Sequence, residues 1–189
     1  MPRRFTIATA LAVLFTSMLG SAGPASAAAK NKKPLRACAG AFAIPTAGTL
    51  PRAHDAVLCL INRQRARRRV SALRRSAELT RAAVAHSTDM IDRQYFAHQS
   101  LDGTMPRQRV LRSGYFRGAA GGTVEETLAA GWQQLSTPKA LVASLMRSKS
   151  HKTILLSRSL RDVGIGLVLG APQPGMAGGA TLTLDLARR

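Results

Sequence analysis

"ATLTLDLAR", residues 180–188, sets Thr181, Thr183 and Asp185 against Leu182, Leu184 and Leu186. That period-two alternation predicts a β-strand. "VGIGLVLGA", residues 163–171, is a second short β-type run. The Pro/Gly-rich stretch between them, "PQPGMAGG", predicts a hairpin-like connection. Most of the chain upstream reads as helix. Helices first and an antiparallel hairpin last point to an α+β layered domain.

The upstream helices carry recognisable start and stop signals. Residues 53–69, "AHDAVLCLINRQRARRR", put Val57, Leu58, Cys59 and Ile61 on an apolar side. Arginines gather at the C-terminal end, where they suit the helix dipole. A second helix starts near Ser76, a good N-cap, with Glu78 in its first turn, and runs to about Arg93. Leu79, Ala83, His86 and Met90 recur at helical spacing, which places His86 on or beside the buried face. "SLDGT" (100–104) is a turn, and residues 105–113 form a short helix that stops at Gly114. "RGAAGG" (117–122) is a loop, and "TVEETLAAG" (123–131) begins like a strand. Thr137 caps a further helix with Pro138 at its first position. No internal repeat is present.

The totals bound the rest. A chain of 189 residues fits one domain with a real core. Hydrophobic residues make up 46% and aromatics only 4%, so Ala, Leu, Val, Ile and Met must build that core. Net charge is +19, from 28 Lys+Arg against 9 Asp+Glu. Such an excess attracts polyanions: nucleic acid, anionic lipid or acidic wall polymers. The N-terminus narrows the choice. Arg3 and Arg4 precede an apolar run, "FTIATALAVLFTSMLG", and Ala25-Ser26-Ala27 is a small-residue cleavage signature. This predicts a secretory signal peptide over residues 1–27, the run being too short for a comfortable membrane span. The mature chain is then expected in the extracellular space or the cell envelope, with no transmembrane segment. Nucleic acid becomes a disfavoured partner there.

Residues 28–52 read as an extended lead-in. Cys38 and Cys59 are the only cysteines, an even count in a chain read as secreted. They are expected to pair and tether the lead-in to the first helix, contributing about 3 kcal/mol. A free nucleophilic Cys59 is the rival reading, and an oxidising compartment favours the bridge. Arg63, Arg65, Arg67, Arg68, Arg69, Arg74 and Arg75 crowd the end of the first helix. They are either a solvated helix face or an adhesive patch for anionic cell-wall polymer or lipid headgroups, salt-sensitive in the second case.

Several stretches fall into a known order: "LCLINRQR" (58–65), "HSTDM" (86–90), "YFAHQSLDG" (95–103), "EETLAAG" (125–131), "TPKALVASLM" (137–146), "SHKTILLSRSLRDVGIGL" (150–167) and "TLTLDLAR". Together they resemble the CAP (SCP-like) domain of cysteine-rich secretory proteins, antigen 5 and plant pathogenesis-related class-one proteins, most of all its short secreted bacterial branch. The resemblance spans most of residues 53–188 and implies a domain over 53–189. The implied fold is a three-layer α-β-α sandwich around a small antiparallel sheet. It implies a cleft lined by His98, Glu126 and His151, with His98 and His151 as metal ligands in many members. The family's "GEN" motif reads "EET" here, and Ser150 stands before His151 where the family has Gly. The animal and plant members carry a second cleft Glu on the helix before that His, whereas residues 138–150 hold no carboxylate. The implied tetrad is reduced to a triad.

The chemistry leaves three readings open. Two neutral imidazoles suit Zn or a similar divalent ion, and Glu126 could add a ligand, orient an imidazole, or act as a base on bound water. The same three residues could equally form a hydrogen-bonded polar cleft. The first reading is therefore a secreted binding module for a small apolar, lipid-like or peptide ligand, with or without a divalent metal. The second is a metal-dependent hydrolase or protease using His98, Glu126 and His151. The third is a structural envelope protein with a vestigial cleft. His86 reads as a satisfied core histidine, His54 as a surface residue, and Glu125 should point away from the side Glu126 faces.

Overall fold

The computed structural model describes residues 37–174 and 178–189. The expected signal peptide and the start of the lead-in lie outside the described residues. Helix α1 runs Leu50–Arg67, β1 is the two-residue strand Arg74–Arg75, and α2 is Ala77–Asp92. Helix α3 (Pro106–Arg112) and strand β2 (Thr123–Trp132) follow. Then come α4 (Pro138–Arg147), α5 (Lys149–Leu155), β3 (Asp162–Leu169) and β4 (Gly179–Arg188).

Local chemistry accounts for most of these boundaries. Ser76 accepts the Leu79 amide and starts α2, and Thr137 accepts the Ala140 amide and starts α4. Helix α1 begins earlier than the apolar pattern indicates, because Pro51 is tolerated in a first turn. It ends before the pattern does, where Arg69 takes a left-handed φ of 56°. Helix α5 escaped the sequence reading. It is one short stretch started by Ser148, whose hydroxyl accepts the His151 amide.

The sheet order is β1-β3-β4-β2. Strands β2, β4 and β3 are antiparallel, as expected, while β1 pairs with β3 in parallel and makes the sheet mixed. The hairpin closes where the Gly170 amide meets the Gly179 carbonyl at 2.8 Å.

Alternating strands usually keep one face wet. Here both faces of β4 are dry. Leu182, Leu184 and Leu186 pack with Val57, Leu60 and Ile61 of α1 and Leu141 and Leu145 of α4. Thr181, Thr183 and Asp185 turn to the other face and are also wholly buried. Helix α2 covers that side, and Ser87 donates to the Gly166 carbonyl at 2.7 Å and to Thr183 Oγ1 at 2.8 Å. Leu79, Ala82, Val110, Tyr115 and Phe116 complete the second layer beneath α2 and α3. The three-layer α-β-α architecture follows.

Cys38 and Cys59 form the expected disulfide, with Cα atoms 5.7 Å apart, and it fastens the segment before α1 to the helix. Among the described residues, no helix is long and apolar enough to cross a membrane.

Candidate functional site

Glu126 sits mid-way along β2 and is 6% exposed, while its neighbour Glu125 faces solvent. His98 Nδ1 lies 2.8 Å from Glu126 Oε1, and Arg109 Nη2 lies 2.7 Å from Oε2. Both carboxylate oxygens are therefore committed. His98 Nδ1 carries the proton in that contact, so Nε2 is left as the ring's free edge. The His98 side chain is 49% exposed.

The loop that carries His98 is held from several sides. Asp102 accepts the Thr104 amide at 2.9 Å, and Gly103, at φ +83°, turns the chain back on Ser100. The Tyr95 amide bonds to the Met90 carbonyl at 3.1 Å, and its hydroxyl bonds to Asp89. Phe96, which a packed loop wall would bury, is 46% exposed instead. His86 on α2 donates through Nε2 to the Ala97 carbonyl at 3.0 Å. It is a satisfied buried histidine, 3.9 Å from Glu126.

Arg109 on α3 ties these parts together. Besides Glu126 it donates to the His98 carbonyl at 2.8 Å, to Ser100 Oγ at 3.0 Å and to the Thr104 carbonyl at 3.0 Å. No sequence signal separates it from the chain's other arginines. His151 is partly buried in the first turn of α5. Burial lowers its basicity, and the nearby His98 lowers it further. His54, expected at the surface, is half-buried and donates to the Leu167 carbonyl at 2.8 Å, joining α1 to β3.

A second carboxyl group lies in this site, and it comes from β4 rather than from a helix. Asp185 is paired in register with Glu126 and is wholly buried. Neither Asp185 oxygen accepts a hydrogen bond from a protein donor. Burial, then the Glu126 charge beside it, pushes the Asp185 carboxyl well above the usual carboxylate range. Burial also pushes Glu126 up, but the His98 hydrogen bond and the Arg109 guanidinium outweigh it and hold Glu126 below that range. The two carboxyls thus divide their roles. Glu126 is the anion, balanced by Arg109, and Asp185 is the acid that can donate to it. A lone Asp in a strand of Leu and Thr was the available sequence signal, since Asp is depleted in strands.

This arrangement predicts a pH-dependent gain for Asp185→Asn, whose amide still donates to Glu126. A carboxyl whose folded pKa is raised contributes stability below its unfolded value, and that stability is lost as pH rises through the folded value. The variant's stability relative to wild type should therefore climb as pH rises above 3.8, the ordinary Asp value. Denaturant unfolding at several pH values reads the difference, and an advantage that stays flat or falls with pH contradicts the assignment.

The donor set does not fit a resident divalent ion. Each Glu126 oxygen already accepts a hydrogen bond, and the Arg109 guanidinium already supplies the positive charge beside them. Among the described residues, no three His, Cys, Asp or Glu side chains are grouped to hold a metal. That leaves two imidazoles, His98 and His151, fewer donors than the three protein ligands of a catalytic zinc site.

Comparison with known proteins agrees with the architecture. The chain is 30% identical over 112 residues to YkwD, an uncharacterized protein of Bacillus subtilis (strain 168), which covers 59% of this chain and 41% of that protein. The chain thus spans well under half the length of that relative. An extracellular protein containing an SCP domain from Bacillus anthracis superposes with a TM-score of 0.60 at 21% identity, over 77% of this chain and 44% of the other. An outer surface protein of Borrelia burgdorferi gives 0.59 at 18% identity, over 77% of this chain and 96% of the other. At such identities these two structures speak to the fold alone. The family model described as CAP, the cysteine-rich secretory protein family, matches residues 58–176. With most of the chain inside that match and the sandwich fold in place, this protein belongs to the cysteine-rich secretory protein (CAP) family.

Proposed function

We propose that this chain is an extracellular or cell-envelope binding module whose cleft, between His98 and His151, takes a small amphiphile with an anionic head. The observation that carries the reading is that both Glu126 oxygens are already hydrogen-bonded to cationic or N–H donors. With one oxygen on His98 and the other on Arg109, it is a buried orienting anion, not a base free to activate water. That weighs against the metal-dependent hydrolase. What the site offers to a ligand is the free edge of His98 and the neighbouring His151, on a chain whose net charge is +19. The His98 loop also lines a groove of about 520 Å³ that includes Tyr95, Phe96 and Leu101. Phe96 is 46% and Leu101 56% exposed, so the loop that carries His98 also presents apolar surface, although the His98 side chain is not part of that groove's lining. Such a neighbourhood suits an acyl tail next to a carboxylate or phosphate head.

The extracellular placement is supported by the Cys38–Cys59 bridge, since structural disulfides persist in oxidising compartments. The expected signal peptide agrees, as do relatives described as an extracellular protein and an outer surface protein. The test is a titration with palmitate below its micellar range, followed through the ring-proton NMR signals of His98 and His151. Saturable shifts of both rings, lost in His98→Ala and weakened in Leu101→Ser, are expected. Rings that stay unmoved in the wild type would overturn the reading. Peptide-only binding would move the occupant to the peptide class.

A further inference from the structure

The arginine-rich end of α1 does not stand alone in the folded chain. Arg69 and Arg158 meet, the Arg158 guanidinium donating to the Arg69 carbonyl at 3.3 Å. The Arg74 amide donates to the Arg161 carbonyl at 2.9 Å, and the Arg161 side chain reaches the Arg158 carbonyl. Two segments some ninety residues apart in sequence thus merge into one surface. Beneath it the buried Arg65 binds carbonyls of both segments and fixes their relation. Arg67, Arg68, Arg69, Arg158 and Arg161 are all exposed.

This surface is short of counter-charge. Among the described residues, none of those five arginines forms an ion pair with a carboxylate. The two acids nearby are occupied: Asp162 by Arg74 and Tyr115, and Asp55 by Arg75. Arg65 responds to this environment, its basicity lowered by burial and then by the Arg161 charge.

We propose that Arg67, Arg68, Arg69, Arg158 and Arg161 form a docking surface for a linear phosphodiester polymer of the cell envelope. Guanidinium groups grip phosphate oxygens in a fixed fork, and five in one patch match a repeating anion better than a single charge. A membrane surface fits less well. Phe42, 78% exposed, lines a pocket with Arg63, Gln64 and Arg67 at one edge of the patch, and a single ring is a small apolar face to set between acyl chains. A strand-adding partner fits poorly too, because the open edge at β1 is two residues long and both are arginine. The surface flanks β1, and Glu126 lies on β2 at the opposite edge of the sheet. Polymer can bind without covering the cleft, so this inference stands apart from the amphiphile reading.

The experiment measures binding of long-chain inorganic polyphosphate to the full mature chain across a salt series. It compares wild type, Arg158→Gln/Arg161→Gln, Arg67→Gln/Arg68→Gln, and a control, Arg81→Gln/Arg147→Gln. Each patch variant is expected to lose about tenfold in affinity at 0.15 M salt and to flatten the log–log salt slope by about 1.5, since each phosphate contact contributes about 0.7–0.9. The control should bind like wild type, and palmitate binding should be unchanged throughout. Matched thermal unfolding of all four proteins keeps misfolding apart from lost contacts. Equal losses in patch and control variants would overturn the proposal, because the effect would then be net charge alone. Tighter binding to phosphatidylglycerol vesicles than to polyphosphate would overturn it in favour of a membrane surface.

Discussion

Gly166→Ala is expected to destabilise the fold by more than about 3 kcal/mol, at or beyond the upper end of ordinary overpacking. A Cβ at residue 166 would stand 2.2 Å from the Ala83 carbonyl carbon, 2.3 Å from its oxygen and 2.6 Å from the Val84 nitrogen. All three are backbone atoms of α2. A side chain in the way could rotate aside; a helix backbone has to lift. Gly164 makes the same demand one step along β3, where a Cβ would meet the Leu79 carbonyl carbon at 2.1 Å. The two glycines therefore let α2 lie directly on the sheet. Lifting α2 opens the packing around Leu79, Ala83 and Met90, all wholly buried. It also breaks the Ser87 hydrogen bond to the Gly166 carbonyl. Denaturant unfolding measures the loss. Gly48→Ala is the matched control, because a Cβ there meets nothing within 4 Å and should cost little. A Gly166→Ala protein within about 1 kcal/mol of wild type would show that α2 does not pack as described.

The consequence would reach the site. Helix α2 carries His86, which holds the Ala97 carbonyl immediately before His98. It also carries Asp89, which holds Tyr95. Loosening α2 should therefore broaden or shift the His98 ring signals even where some folded protein remains. Fold and cleft are coupled here through backbone contacts, not through the cleft residues themselves.

What could be read from the sequence follows from the range of each signal. The α2 and α4 starts were legible because Ser76 and Thr137 act on amides three residues away. The β3–β4 hairpin was legible because its two runs are short, β-type and joined by turn residues. Strand β1 was not: two arginines have no period, and only the parallel pairing with β3 makes them a strand. The glycines in "VGIGL" are visible in the sequence, but their purpose depends on which helix crosses them. The site divides in the same way. His98, Glu126 and His151 came from an ordered resemblance. Arg109 and Asp185 reach Glu126 only through helix packing and strand register; the lone Asp in a Leu/Thr strand marks Asp185 as unusual, but no local pattern tells that either residue meets Glu126. Residues 138–150 hold no carboxylate, yet β4 supplies one to the site from its buried face.

Arg65→Met is expected to cost at least about 4 kcal/mol, because it preserves bulk while stranding several buried acceptors that cost about 1–3 kcal/mol each. Arg65 was one of seven clustered arginines, and the fold separates it from the rest. It is wholly buried. Its Nε donates to the Ser71 carbonyl at 2.7 Å, Nη1 to those of Leu155 at 2.8 Å and Ser157 at 3.0 Å, and Nη2 to that of Leu160 at 3.2 Å. These carbonyls belong to the turn after α1, the end of α5 and the loop leading to β3. No carboxylate pairs with the guanidinium among the described residues; carbonyl dipoles alone compensate it. Arg65→Lys should recover only part of the loss, since an ammonium cannot present donors along the same fork. Denaturant midpoints of wild type, Lys and Met should therefore fall in that order, and a Met variant as stable as wild type would refute the role. The same substitution separates the two surfaces at mild temperature. The 156–161 loop should lose its place, taking Arg158 and Arg161 with it and weakening polyphosphate binding. His98, Arg109 and Glu126 share no hydrogen bond with this network and should keep their geometry, so palmitate should continue to move the His98 ring signals.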